Sequence, residues 1–231
     1  MYTAIDEQLA TFGQDLPEAL LALVGGADMS TPEGWYQVET FSLMAPILVM
    51  AVTITIGAKA LAGEEAQRTM GLLLGNPVRR SSIVLQKTLA AGILGTIVGV
   101  ATFLGVVAGS VIAGLGISIV NIAATSLLSV LIGFVFGGLA LLLSAATGRV
   151  RTAVVGAVGV AFAMYLVNSL AAFSEDLEGL ASWSPYHYYL TTDPLINGMP
   201  WGDAAVLAAI TVVLVAASVF AFDRRDIRTT S

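Results

Sequence analysis

Long runs without a charged residue constrain the fold of this sequence more than any other feature. Four runs contain no Asp, Glu, Lys or Arg over at least 19 residues: 40–58, 88–148, 152–174 and 204–222. A helix needs about 20 apolar residues to cross the hydrocarbon core of a bilayer. Because 57% of the 231 residues are hydrophobic and only 11% are charged, a soluble fold could not bury this apolar surface.

The longest run, 88–148, has the length of two spans with a turn between them. Gly114 and Gly116 predict the position of that turn, since glycines end helices. Barrel strands are excluded because they alternate apolar and polar residues, which these runs do not. The sequence therefore predicts an all-α membrane protein, a polytopic bundle of five transmembrane helices at about 40–61, 84–113, 119–146, 153–173 and 204–222.

The charges predict the orientation of this transmembrane domain, 40–222. All ten basic residues lie in or beside the loops on one side, whereas twelve of the sixteen acids lie on the other side. The positive-inside rule makes the basic side cytoplasmic. We therefore expect a multi-pass protein of the cell (inner or plasma) membrane, with segment 1–39 and loop 174–203 outside and tail 223–231 in the cytoplasm.

The external segment 1–39 has two recognisable parts. Apolar residues at near-helical spacing over 4–24 predict a short amphipathic helix. The run Ser30-Thr31-Pro32-Glu33 predicts a helix start, because Ser or Thr caps a helix and Pro suits its first turn. The first spanning helix is therefore expected to begin outside the membrane, near residue 31.

The external loop 174–203 is rich in aromatic residues, which favour the interface between membrane and water. Two interpretations remain open: side chains that anchor the loop at the interface, or a lid over a substrate exit. The residues concerned are Trp183, Pro185, Tyr186, Tyr188, Tyr189 and Trp201.

The cytoplasmic loop 62–83 begins with two acids, Glu64 and Glu65, at the end of the first predicted helix. A short amphipathic stretch over 69–74 follows and is broken at 75–77. This pattern predicts a helix that lies in the interface before the chain turns back into the bilayer.

Two groups of residues resemble type-2 ABC transporter permeases, including bacterial and archaeal (prokaryotic) members. The first group comprises Gly63, Glu64, Glu65, Thr69, Leu72, Leu73, Leu74, Pro77, Arg80, Val84 and Lys87. The second comprises Ser184-Pro185-Tyr186, Tyr188-Tyr189, Asp193-Pro194-Leu195, Asn197-Gly198, Trp201-Gly202 and the ending Phe222-Asp223-Arg224-Arg225-Asp226-Ile227. The resemblance extends over essentially the whole chain.

This resemblance implies the transmembrane permease subunit of an ATP-binding-cassette exporter, which forms the substrate path beside a second permease copy or homologue. Loop 62–83 would couple to a separate ATPase subunit, which would bind ATP and Mg, and this chain would bind no cofactor or metal. Family members usually have six helices with both ends inside, so the first helix would be missing here. The coupling residues would be Glu64, Glu65, Arg68, Thr69, Leu72, Leu73, Leu74, Pro77, Arg79 and Arg80.

The motifs that the sequence lacks narrow the function further. No Gly-x-x-x-x-Gly-Lys-Ser/Thr phosphate loop occurs, so ATP hydrolysis is expected on the partner and this chain is not expected to be an enzyme. Apart from Lys59 and Lys87, near the cytoplasmic ends of their helices, the predicted spans hold no ionisable residue of the kind that ion-coupled carriers need. A non-transporting membrane scaffold or sensor remains the alternative. An intramembrane enzyme is disfavoured because no base accompanies a nucleophile, and nucleic acid is not an expected partner.

Overall fold

The computed structural model describes residues 31–70, 79–171 and 179–225, and these residues form helices and no strand. Five of the helices are long and apolar enough to cross a membrane. The predicted all-α polytopic architecture is therefore confirmed. In chain order the helices are α1 (Pro32–Lys59), α2 (Ala62–Ala66), α3 (Arg80–Ala113), α4 (Ile119–Thr147), α5 (Val150–Ala171), α6 (His187–Leu190), α7 (Pro194–Asn197) and α8 (Trp201–Arg224), of which α1, α3, α4, α5 and α8 are the long ones.

Four of the long helices begin before the apolar spans that the sequence predicts. The predicted spans start near 40, 84, 153 and 204, whereas helices α1, α3, α5 and α8 begin three to eight residues earlier. Absence of charge marks only the hydrocarbon depth, whereas a helix continues into the polar interface. The expected start of α1 near residue 31 is confirmed: Thr31 is the N-cap, and its Oγ1 accepts a hydrogen bond of 3.1 Å from the N–H of Gly34. The predictions for 4–24 and Ser30 lie outside the described residues.

The turn that divides the longest apolar run lies where the glycines predicted it. Helix α3 ends at Ala113, and Gly114 adopts a left-handed conformation with φ of 66°. Gly116 also has a positive φ, of 74°, and α4 begins at Ile119. Both positions favour glycine because a Cβ atom is strained there.

Helices α1 and α4 form the centre of the bundle, with α3, α5 and α8 at its periphery. Their backbones approach so closely that a Cβ atom on Gly57 would lie 2.4 Å from the carbonyl oxygen of Gly137. Thr53 Oγ1 donates a hydrogen bond of 2.7 Å across this contact to the carbonyl of Gly133. Small residues permit such approach between helices in a membrane. These glycines thus pack α1 against α4 within the bundle.

The outer part of α1 is a π-helix, over Gln37–Met44. Pro46, at the start of the following α-helical part, has no N–H and would clash with the carbonyl four residues earlier in a regular α-helix. The wider π-helical turns relieve that clash, and Ser42 Oγ donates a hydrogen bond of 2.9 Å to the carbonyl of Gln37.

Because the long helices alternate in direction, the loops gather at two ends of the bundle. The basic end holds Lys59, α2, the start of α3 and Arg225. The acidic end holds the start of α1, the turn at Gly114, and helices α6 and α7. The two ends carry the two candidate functional regions.

Candidate functional site

The first region is the loop that follows α1 at the basic end, and hydrogen bonds attach its base to α4. Ser144 Oγ, buried near the end of α4, donates a hydrogen bond of 2.9 Å to the carbonyl of Ala58. The same oxygen accepts a hydrogen bond of 3.0 Å from the N–H of Ala62 at the start of α2. One serine hydroxyl therefore holds together the end of α1, the start of the loop and the end of α4.

Glu64 connects the loop to α3. Its Oε1 accepts a hydrogen bond of 2.5 Å from Lys87 Nζ, and its other carboxylate oxygen accepts the Thr69 hydroxyl. These two bonds, Lys87 first, lower the pKa of Glu64 below its ordinary value, so the carboxylate is ionised near neutral pH. Arg68 lies at the tight turn between Glu64 and Thr69 and has a left-handed φ of 60°.

Glu65 points towards different helices. Its carboxylate forms an ion pair with the guanidinium of Arg225, just beyond the end of α8. Arg225 Nη1 also donates to the carbonyls of Ser144 at 3.2 Å and Ala145 at 2.9 Å. Burial lowers the pKa of Arg225, but a guanidinium remains protonated at physiological pH. Glu64 thus bonds to α3, and Glu65 bonds to the residue after α8 and, through it, is connected to the end of α4.

Arg80, at the first position of α3, closes the region on its other side. Its Nη1 donates to the carbonyls of Phe222 at 3.2 Å and Arg225 at 3.1 Å, and its guanidinium lies 5.8 Å from the centre of the Phe222 ring. Beneath these polar contacts is a buried apolar cluster of Ala60, Leu61, Met70, Ile83, Val84, Leu141, Ala145 and Phe222.

Residues 66–68, the tip of the described part of this loop, remain accessible. The side chains of Ala66, Gln67 and Arg68 are exposed, as is Arg79 just before α3. The structure therefore separates the sequence-predicted residues into an exposed group, with Arg68 and Arg79, and a bonded group, with Glu64, Glu65, Thr69 and Arg80. Leu72, Leu73, Leu74 and Pro77 lie outside the described residues, as does most of the predicted interfacial helix.

The second region is the loop at the acidic end, and it packs into the bundle. Tyr189, on α6, is 1% exposed. Its hydroxyl donates a hydrogen bond of 2.6 Å to the carbonyl of Phe41 in α1 and lies 2.7 Å from Ser129 Oγ in α4. Burial raises the pKa of Tyr189, so the hydroxyl keeps its proton. Of the two interpretations of this loop, interfacial anchoring does not fit Tyr189, because its polar group bonds inside the bundle, and the lid over a substrate exit stays a prediction.

Polar contacts hold the rest of this loop in place. Gln37 Nε2, on the π-helical part of α1, donates a hydrogen bond of 2.5 Å to Asp193 Oδ1. Asn121 Nδ2 donates to the carbonyls of Leu195 and Ile196, both at 3.0 Å. The loop that connects α5 to α8 is therefore bonded to both central helices.

The other aromatic residues of this loop have different environments. Trp183 and Trp201 are 81% and 75% exposed, as a side chain at a membrane interface would be without its lipid. Tyr188 donates a hydrogen bond of 2.8 Å to the carbonyl of Ser182 at the surface. Pro185 is buried beneath the loop. Anchoring by the two tryptophans stays a prediction.

An apolar groove of about 460 Å³ lies between α1 and α5. Met50 and Ile54 line it from α1, and Val158 and Phe162 line it from α5. Tyr186 borders the groove, where its ring packs 5.6 Å from that of Tyr165 and its hydroxyl contacts Met50 Sδ at 3.7 Å. The groove could hold an apolar molecule and offers no charged side chain to it.

The family of the chain follows from a comparison of its sequence with protein-family models. The model described as ABC-2 family transporter protein matches residues 1–227. The chain belongs to the ABC-2 transporter family. The resemblance seen in the sequence is therefore confirmed, and the chain is a multi-pass ABC transporter permease. No curated protein matches the sequence.

Sequence reasoning assigned no role to several residues of this ABC-2 permease. Lys87 and Arg225 belong to the two motifs, but the sequence gives neither of them a partner, and Ser144 belongs to no motif. Two motifs that lie far apart in the sequence do not show which of their charged side chains are in contact. The short distance between Glu65 and Arg225 arises only when the ends of α1, α4 and α8 come together.

Proposed function

We propose that this chain is the permease subunit of an ATP-driven exporter, coupled through loop 62–83 to a separate ATPase subunit that binds ATP and Mg. The observation that supports this proposal is the described part of that loop: the side chains at 66–68 are exposed, and the residues beside them are joined to the ends of α1, α3, α4 and α8. A force applied to the tip would reach four of the five long helices.

The charge distribution supports a cytoplasmic location for this loop. The nine basic residues that the structure describes all lie in or beside the loops at the basic end, which the positive-inside rule assigns to the cytoplasm. An ATPase subunit must work where ATP is available, so the tip at Gln67 and Arg68 would face it. The membrane would be the cell membrane, and the acidic end would lie outside.

The groove between α1 and α5 supports a substrate path at the surface of this subunit. A second permease copy or homologue facing the groove would enclose it. Its lining is mostly apolar, and the polar groups in it are the hydroxyls of Ser42, Thr55, Tyr165 and Tyr186. We therefore infer an apolar or amphipathic substrate, expelled towards the acidic end.

The test begins with co-expression of the chain and the ATPase encoded beside its gene, followed by mild solubilisation. The two proteins should purify together in a fixed ratio and hydrolyse ATP. Arg68→Glu should weaken the association about two- to fivefold, the effect of one exposed charge pair.

Arg151→Glu is the matched control, since Arg151 is an exposed arginine at the same end but outside the loop. It should purify with the ATPase as the unchanged chain does. Equal loss in both variants would remove the loop tip from the interface. If the unchanged chain binds no ATPase, a non-transporting scaffold or sensor becomes the better explanation.

A further inference from the structure

The chain ends its last helix with two adjacent arginines whose side chains have different surroundings. Helix α8 ends at Arg224, whose guanidinium lies 3.9 Å from the centre of the exposed Phe220 ring. Arg225 adopts an extended backbone conformation, with φ of −85° and ψ of 132°. Its side chain turns back into the bundle and is only 17% exposed.

The guanidinium of Arg225 occupies the C-terminal end of α4. It donates to the carbonyls of Ser144 and Ala145, which belong to the last turn of the helix. The Ser144 carbonyl also accepts a hydrogen bond of 3.0 Å from the N–H of Gly148, whereas the carbonyl of Ala145 has no partner four residues later within the helix. The negative end of the helix dipole favours a cation at this position. Gly148 leaves room for it, because a Cβ atom there would lie 2.7 Å from Arg225 Nη1.

The same guanidinium holds Glu65 of the loop. The planar guanidinium of an arginine can donate to a carboxylate with one nitrogen and to carbonyls with another, whereas the ammonium of a lysine has a single nitrogen. The Arg225 carbonyl in turn accepts from Arg80 of α3 at 3.1 Å. One residue therefore connects the loop to α4 and, through its own backbone, to α3 and α8.

We propose that Arg225 is a positioning residue, which holds the loop against the end of α4 so that the tip and the central helix move as one unit. This proposal rests on the proposed function of the loop in coupling. Glu64 serves a different purpose, because its partner Lys87 attaches the loop to α3 alone. Arg225 reaches α4, which contacts each of the other long helices.

The first experiment measures position directly and needs no ATPase. The chain contains no cysteine, so spin labels can be attached at Gln67→Cys on the tip and Ala146→Cys at the end of α4, both exposed positions. The distance distribution between the labels should be narrow in the unchanged chain and in Arg224→Ala. It should broaden in Arg225→Ala. An equally narrow distribution in Arg225→Ala overturns the proposal.

The second experiment measures coupling in the complex with the ATPase. Arg225→Ala should lower the kcat of stimulated ATP hydrolysis about fivefold or more, within the usual range of coupling between sites, and leave the KM for ATP unchanged. Arg224→Ala should keep full stimulation. The double variant E65A/R225A should lose no more than R225A alone, because both substitutions break one contact. Additive losses, or a change in KM alone, contradict the proposal.

Arg225→Lys keeps the positive charge at the end of α4 and guards against a chain that fails to fold. It should fold, keep the narrow label distances only in part, and show intermediate stimulation. If the unchanged chain binds no ATPase, the proposed function fails, while the spin-label distances still decide whether Arg225 positions the loop.

Discussion

At the scale of single residues, hydroxyl groups hold this bundle together where charges would be too costly. Ser144, Thr53 and Tyr189 each donate to a backbone carbonyl of another segment, at 2.6–2.9 Å. In a membrane an unpaired polar group has no water to replace its partner. Each of these hydroxyls therefore specifies one arrangement of two segments and excludes others.

Tyr189 offers a test of this view. Tyr189→Phe keeps the ring in its buried site but removes the bonds to the Phe41 carbonyl and Ser129. We expect a loss of about 1–3 kcal/mol in the free energy of unfolding, because the buried Phe41 carbonyl loses the hydroxyl that it bonds. It would be measured as a lower midpoint of thermal unfolding in detergent.

Tyr188→Phe provides the comparison for this measurement. The Tyr188 hydroxyl bonds to the carbonyl of Ser182 at the surface, where water can replace it. Its removal should leave the unfolding midpoint nearly unchanged. Similar effects in the two variants would show that burial at α6 contributes nothing to the strength of the Tyr189 contacts.

At the scale of the helices, close approach of backbones decides which helices are central. Helices α1 and α4 are in contact where Gly57 and Gly133 lie opposite Gly137 and Val49. Dispersion forces and hydrogen bonds drive such association, because lipid is as apolar as the side chains that it replaces. Small residues let the two backbones approach closely, which strengthens both the dispersion forces and the hydrogen bonds.

Gly57→Ala should separate α1 from α4, because the added Cβ atom would lie 2.4 Å from a backbone carbonyl that cannot move alone. We expect destabilisation of about 1–3 kcal/mol, the usual result of overpacking. Gly105→Ala is the matched control, since a Cβ atom there meets nothing within 4 Å. The unfolding midpoints of the two purified variants give the comparison. A Gly57→Ala midpoint no lower than that of Gly105→Ala would contradict the role of this contact.

At the scale of the whole molecule, the two ends of the bundle differ in charge and in how their loops are bonded. The basic end collects ion pairs around a loop with an exposed tip, and the acidic end is closed by a loop that bonds to α1 and α4. The groove between α1 and α5 lies between these ends. This difference between the ends fits the proposed exporter, in which the ATPase acts at the basic end and the substrate leaves at the acidic end.

The proposed orientation predicts which end an impermeant thiol reagent can reach in intact cells. Gln67→Cys should be labelled only after the membrane is opened, whereas Ser182→Cys should be labelled from outside. Both positions are exposed, and the unchanged chain has no thiol to react. The reverse pattern would place the basic end outside and exclude coupling to a cytoplasmic ATPase there.

The sequence by itself determined the number of spans, the turn at Gly114 and the division of charge between the ends. These features depend on local composition, because the cost of placing a charge or a free backbone group in lipid acts on each segment separately. The family followed from motifs in two distant segments. The start of α1 at its proline was also local, since capping involves neighbouring residues only.

Only the tertiary structure decided which residues meet. It placed Tyr189 inside the bundle instead of at the interface, and it paired Glu65 with Arg225, 160 positions away in the chain. A charge at a helix end has several possible partners when the packing of the helices is unknown. The crossing of α1 with α4 and the seating of α8 beside them select one partner, because direct contact requires both short distance and a suitable orientation.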